Sequence, residues 1–216
     1  GRLVPPDDAS TAICLLDSGV TQAHPLIRPA LGMDDMHTIH PDWDVGDTAK
    51  KWHGHGTAMS GLALYGDLLP HFVGAAPIEV SHRLESVKIL PPDGQNDPKL
   101  YGFITKEAVA RAEVQAPNRK RVVCMAVSSD QSVFGRPSSW SATVDQLCFD
   151  EDNRRLIVLS AGNIRHNIDP AEYPGRNDTT PMEDPAQAWN ALTVGAYTDR
   201  INIVDPAYAG WEPVGA

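Results

Sequence analysis

The chain has 216 residues, 42% of them hydrophobic, with 18 Lys and Arg against 28 Asp and Glu for a formal charge of −10. That is apolar content for one well-filled core, so a single domain over 1–216 is expected. The negative balance repels phosphate backbones and anionic membranes, so neither nucleic acid nor membrane is an expected partner, and no apolar run approaches the roughly 20 residues that cross a bilayer.

The three cysteines, Cys14, Cys124 and Cys148, are odd in number and two lie in apolar runs. They read as small hydrophobes rather than a disulfide framework, which mildly favours a reducing, cytoplasmic compartment. The chain opens on Gly1 and enters a strand-like run almost at once, so an excised piece of a longer protein is expected.

Short β-rich runs alternate with helical patterns, the signature of an α/β fold: a mostly parallel sheet with helices on both faces. In chain order, the sequence predicts strands at Thr11–Leu16, Ser86–Leu90, Arg121–Val127, Arg155–Ser160 and Ala191–Tyr197. A helix is expected from near Gly56, where the small residues Gly56, Thr57, Ala58 and Gly61 permit close packing. Further helices are expected at Ile104–Ala116 and Ser138–Phe149. The last has Trp140, Val144 and Leu147 on one face and starts at Pro137-Ser138. Met33–Lys50, Pro91–Pro98 and Ile164–Pro185 read as surface loops.

Three strands end in small or polar residues that a core does not favour: "LLDSG" at Leu15–Gly19, "AVSSD" at Ala126–Asp130 and "LSAGN" at Leu159–Asn163. In a parallel sheet all three ends share one edge, where open α/β folds bind ligands. Taken alone, Asp17 reads equally as a turn or capping residue, and Asn163 as a loop residue with left-handed backbone.

The stretch "KWHGHGTAMSG" adds two histidines around one glycine. A His-x-His pair can share a zinc ion, giving a metal hydrolase built on His53 and His55. The third ligand would have to come from His37, His40, Asp42 or Asp44, which have no recognised metal spacing.

"LLDSGV", "HGHGTAMSG" and "VLSAGN" stand in the order of the Asp, His and oxyanion-Asn motifs of subtilisin-like serine peptidases. The chain resembles that family from about Thr11 to Tyr197, with "ESVKIL" and "ALTVGAYT" similar to its strands after the His helix and after the Asn. The resemblance implies a serine endopeptidase acting on polypeptides, with Asp17 orienting the base His55 and Asn163, next to Gly162, stabilising the oxyanion. His53 then lies on the rim of the site. The opposing pulls of the helix dipole and the Asp17 carboxylate would keep His55 near neutrality.

The resemblance further implies that Met125, Ala126, Val127 and Ser128, on the substrate strand, and Gly162 bind the substrate, although the family's usual Ser-Leu-Gly reads Ala126-Val127-Ser128 here. The family's nucleophile, in a Gly-Thr-Ser motif beside a helix, has no counterpart before Ala216. An incomplete peptidase domain is therefore expected, whose serine and C-terminal segment lie beyond this chain; the fragment alone would be inactive. Ser60 is five residues past His55 on the same helix, about 140° away around it, while Ser18, Ser138, Ser139 and Ser141 lack the motif context. The alternative is a relative that binds peptides without chemistry. No cofactor or metal is expected: many family members take calcium, but the acidic loop "HPDWDVGD" reads as solvated.

Overall fold

The computed structural model describes residues 3–7, 9–74, 76–130, 134–150, 154–163, 173–196 and 204–209. Its elements run β1 (Leu3–Val4), β2 (Ala12–Asp17), β3 (Met36–Thr38), α1 (His55–Tyr65), α2 (Leu69–Val73), β4 (Ile78–Glu79), β5 (Arg83–Lys88), α3 (Tyr101–Gln115), β6 (Arg121–Met125), α4 (Ser139–Cys148), β7 (Leu156–Ser160), α5 (Tyr173–Thr179) and β8 (Leu192–Val194). Six strands form one sheet in the order β3-β5-β2-β6-β7-β8, every pairing parallel. The pair β1 and β4 stands apart as a two-stranded parallel ribbon.

The expected α/β architecture is present, and the strand C-termini share one edge because the pairing is parallel throughout. From β2 the chain winds to one side, then crosses to β6 and winds to the other, so β2 lies at the reversal where such sheets open a crevice.

Side chains alternate across this sheet and divide the interior in two. On one face Cys14, Leu16, Val87, Val123, Met125, Ile157 and Leu159 pack under Ile104, Ala108 and Val109 of α3 and Trp140, Val144 and Leu147 of α4. On the other, Leu15 and Leu84 pack with Leu64 of α1 and with Val20, Ile27 and Leu31. Helix α4 begins as its sequence indicates: Ser138 accepts the Ser141 N–H and Ser141 accepts the Ser138 N–H, a reciprocal cap.

Several boundaries differ from expectation. β5 starts at Arg83 rather than Ser86, because Arg83 and Glu85 look like turn residues but are neutralised inside the fold. Glu85 accepts both a bidentate pair from Arg121 at 2.8 and 3.0 Å and a bond from Arg119 at 2.9 Å, and Arg119 also meets Asp35 at 2.6 Å. β3 lies inside the expected loop Met33–Lys50 as a short edge strand on β5, and α5 lies inside the expected loop Ile164–Pro185, of which 164–172 are outside the described residues. β6 stops at Met125 and β8 at Val194; Tyr197, the expected end of β8, is also outside the description.

The small residues of α1 do not all pack closely. A Cβ on Gly56 would come within 2.1 Å of the Gly19 carbonyl oxygen, whereas one on Gly61 would meet nothing within 4 Å and Ala58 is exposed. Among the described residues no helix is long and apolar enough to cross a membrane.

Candidate active site

Asp17 is the last residue of β2, and its side chain points to the sheet face that α1 covers. It is almost wholly buried, so its carboxylate needs donors, and it has them: the Ser18 N–H at 2.7 Å and the imidazole of His55. His55 opens α1, and its Nδ1 lies 2.8 Å from Oδ1 and 3.0 Å from Oδ2 of Asp17. The carboxylate fixes the tautomer with the proton on Nδ1, leaving Nε2 as the acceptor on a side chain that is 44% exposed. The hydrogen bond to Asp17 raises the imidazole's proton affinity above its ordinary value; burial opposes it, and the charges of Asp17 and Asp47 reinforce it. The balance is therefore tipped toward the cation rather than held even, because Asp17 makes a direct bond where the helix terminus supplies only a partial charge.

The start of α1 cannot cap itself. Its N-cap is Gly54, in left-handed conformation at φ 76°, with no side chain to offer. Donors are satisfied from elsewhere. Asp47 accepts the N–H and the hydroxyl of Thr57 at 2.9 and 2.8 Å, and the Ser18 hydroxyl accepts the Gly56 N–H at 3.0 Å while donating to Asp47 at 2.9 Å. The loop that carries Asp47 is anchored by Lys88, which is fully buried, donates to the Gly46 carbonyl at 2.8 Å and lies 3.6 Å from Asp44. Asp44 itself accepts the Gly46 N–H and the Thr48 hydroxyl. The acidic loop expected to be solvated thus uses Asp44 and Asp47 internally.

His53, in contrast, is exposed and ends a short 3₁₀ turn with φ 51°. Among the described residues no group of three His, Cys, Asp or Glu is placed to hold a metal ion. Ser60 is buried and donates to the Gly56 carbonyl one turn back, Ser18 is fully buried in the network above, and Ser138 and Ser141 form the α4 cap.

The other expected residues follow β6 and β7 on the same sheet edge. Met125 is fully buried against α3, with the Thr105 hydroxyl at 4.0 Å from its sulfur, so its side chain belongs to the core and only its backbone is left for a substrate strand. Ala126, Val127 and Ser128 are partly accessible, but Val127 packs on the core edge and the Ser128 hydroxyl donates to Glu183 at 2.5 Å. Glu183 and Asp184 hold this segment further: the Ser129 N–H donates to the Asp184 carbonyl at 2.8 Å, and the Glu183 N–H to that of Ala161 at 3.0 Å. Gly162 takes φ 107°, and a Cβ there would lie 2.5 Å from the Glu183 Cγ, so only glycine fits between them. Asn163 follows, exposed; the left-handed backbone belongs to Gly162 rather than to the asparagine.

Sequence reasoning missed Asp47, Ser18 and Thr57 as a capping set and Glu183 as the brace of the second loop. An aspartate eight residues before His55 has no helix-start spacing, and "MEDPAQ" carries no motif.

The family model described as the subtilase family matches residues 8–208. The chain is a member of the subtilase family. Among solved structures it is similar to the epidermin leader peptide processing serine protease from Staphylococcus aureus, at 19% identity and TM-score 0.54, over 92% of this chain and 49% of that one. It is also similar to sphericase, at 21% identity and TM-score 0.52 over 90% and 56% of the two chains, and to the nisin leader peptidase from Lactococcus lactis, at 12% and 0.52 over 88% and 56%. At these identities the likeness is one of fold, and this subtilase spans about half the length of the structures it matches. No curated protein matches it.

Proposed function

We propose that this chain is the acid–base portion of a serine endopeptidase of the subtilisin type, whose nucleophilic serine lies in a segment beyond Ala216. The observation that carries the reading is the buried Asp17 bonded to Nδ1 of a half-exposed His55 at 2.8 Å, in a chain of the subtilase family. A buried carboxylate that fixes the imidazole tautomer leaves Nε2 ready to accept a proton, which is what a serine hydroxyl requires of its base.

In this scheme the serine oxygen attacks the scissile carbonyl carbon as its proton passes to Nε2 of His55. The carbonyl oxygen takes the negative charge and is met by the Asn163 amide. His55 then returns the proton to the leaving amine, the acyl group stays on the serine, and water activated by the same histidine releases it. Asp17 stays ionised throughout and stabilises the imidazolium. The substrate is an extended polypeptide laid against Ala126–Ser128, with Gly162 beside its reacting carbonyl.

The open sheet face supports the missing segment. Beside α1, Leu156, Leu192 and Val194 are 48, 53 and 49% exposed, with Val158 partly so. They form an apolar half-face of the kind that a further helix covers. The helix bearing the nucleophile would lie there and reach Nε2.

The test is labelling of the full-length protein with a fluorophosphonate. Stoichiometric attachment to a serine beyond Ala216, abolished by His55→Ala, is the expected result. Labelling of a serine within these residues would overturn the scheme, and absence of labelling in a folded full-length protein would favour a peptide-binding relative without chemistry.

A further inference from the structure

Beneath His55 lies a layer of hydrogen bonds that the proposed reaction does not itself use. Asp47 binds both sides of the site with one carboxylate. Oδ2 takes the N–H and hydroxyl of Thr57 in the first turn of α1, and Oδ1 takes the hydroxyl of Ser18 in the turn after β2. Ser18 completes the circuit, because its hydroxyl accepts the Gly56 N–H and its amide donates to Asp17 Oδ1. The Thr57 hydroxyl also accepts the Thr21 N–H at 3.0 Å. The segment with the base and the segment with the acid are therefore joined through a second carboxylate, eight residues before His55.

We propose that Asp47 is a positioning residue for His55: through Thr57 and Ser18 it fixes the first turn of α1 against the turn after β2, and its charge supports the imidazolium. The inference rests on His55 being the base of the reaction proposed above. Two physical arguments carry it. A helix start with glycine at its N-cap drifts unless its orphan N–H groups are held from outside, and a drift of about 1 Å in a base costs on the order of 10²-fold in rate. A negative charge close to a forming cation favours the cation most where part of the surrounding water is excluded.

The charged groups around His55 are few. Asp17 faces it from β2 and Asp47 from the loop before α1, and α1 contributes no acidic or basic residue to its first turn beyond His55 itself. Lys88 of β5 is directed to Gly46 and Asp44, the Cys124 thiol of β6 is neutral and lies near Asp17, and His53 is exposed. Removing the Asp47 charge is therefore not masked by a neighbour of the same sign other than Asp17.

The experiment uses the full-length protein with 15N-labelled histidine, following the His55 ring by NMR against pH and the pH profile of kcat/KM on a peptide substrate. Asp47→Asn keeps the shape and one acceptor oxygen but removes the charge. The expected result is a His55 titration moved to lower pH, an acidic limb of kcat/KM moved with it, and a plateau kcat about tenfold lower or less with KM unchanged. Ser18→Ala keeps the charge and removes the bridge, so its plateau should fall while the limb stays in place.

The proposal is overturned if Asp47→Asn lowers the melting temperature alone, or leaves either the titration or the plateau at the wild-type position. If Asp47→Asn does not fold, Ser18→Ala decides, and an unchanged plateau overturns it. If the full-length protein shows no peptidase activity, the reaction scheme fails separately, and the His55 titration alone decides whether Asp47 acts on the ring.

Discussion

The two faces of the central sheet are built to different ends. Under α3 and α4 the face is closed: Ile157 and Leu159 of β7 and Val123 and Met125 of β6 are within a percent of full burial, and even the Trp140 indole has its partner in the Thr105 hydroxyl at 2.8 Å. On the α1 face the same strands are polar at their ends and open along their length, with Asp17 and His55 at one side and exposed Leu156, Leu192 and Val194 at the other. A residue on the closed face answers to packing alone. In the proposed reaction one on the open face also answers to chemistry, so substitutions on the two faces should separate stability from rate.

The largest separation is expected at Asp17. In the full-length protein Asp17→Asn should reduce kcat by roughly 10⁴-fold, because an amide does not hold His55 in the right tautomer, while the fold persists. Activity near wild type would remove Asp17 from the site. Asn163→Ala should reduce kcat by about 10²- to 10³-fold with KM little changed, the range found for the corresponding donor of subtilisin. The split matters, since an oxyanion donor acts on charge present only in the transition state; a rise in KM alone would make Asn163 a binding residue.

On the closed face, Ile157→Ala should cost about 3 kcal/mol in urea unfolding and leave the rate untouched. The two faces can also be compared directly through Leu192, 53% exposed here. If a further helix covers the open face in the full-length protein, Leu192→Ala there should cost about 2 kcal/mol; a cost below about 0.5 kcal/mol, the usual range for a surface position, would mean that the face stays open. Glycines of one helix divide in the same way. Gly56→Ala drives a Cβ into the Gly19 carbonyl and should destabilise by about 3 kcal/mol, whereas Gly61→Ala enters open space in a helix interior and should stabilise by roughly 0.5–1 kcal/mol.

What the sequence disclosed follows the same division. Strands with continuous apolar runs, such as "AICLLD", buried on both faces of the sheet, and "LIVLS", buried on one, are legible because no polar alternation interrupts them. The start of β5 was not, since Glu85 and Arg83 are charged and their neutralisation by Arg119, Arg121 and Asp35 comes from residues up to 84 positions apart. In the candidate site, Asp17 and His55 sit in contiguous motifs. Asp47 and Glu183 do not, because each acts through a fold-dependent contact, on Thr57 and Ser18 in one case and on Ser128 in the other. Met125 shows a related limit: motif position places a residue along a strand, but strand parity decides which face its side chain takes, and Met125 shares the parity of Val123 on the closed face.

The smallest effect expected is on stability against pH, and it too distinguishes the faces. His55 binds its proton more tightly when folded, chiefly through the hydrogen bond to Asp17. A group of this kind contributes stability that is fully present below its unfolded value of about 6.5 and is lost as pH rises through the higher folded value. His37, half-buried at the edge of the sheet, is shifted the other way by burial, so it costs stability at low pH and that cost fades as pH rises toward its unfolded value of about 6.5. The two act in adjoining windows, below and above about pH 6.5, and a plain pH titration of the wild type does not assign either to its ring. Comparison with His55→Ala isolates the open-face group. The wild type's advantage over this variant should be greatest below about pH 6.5 and should shrink as pH rises above it, by a small amount because the ring is 44% exposed and water screens its charge. Asp17→Asn should flatten that difference. A wild-type advantage that instead grows with pH would mean that burial, not Asp17, governs the His55 ring.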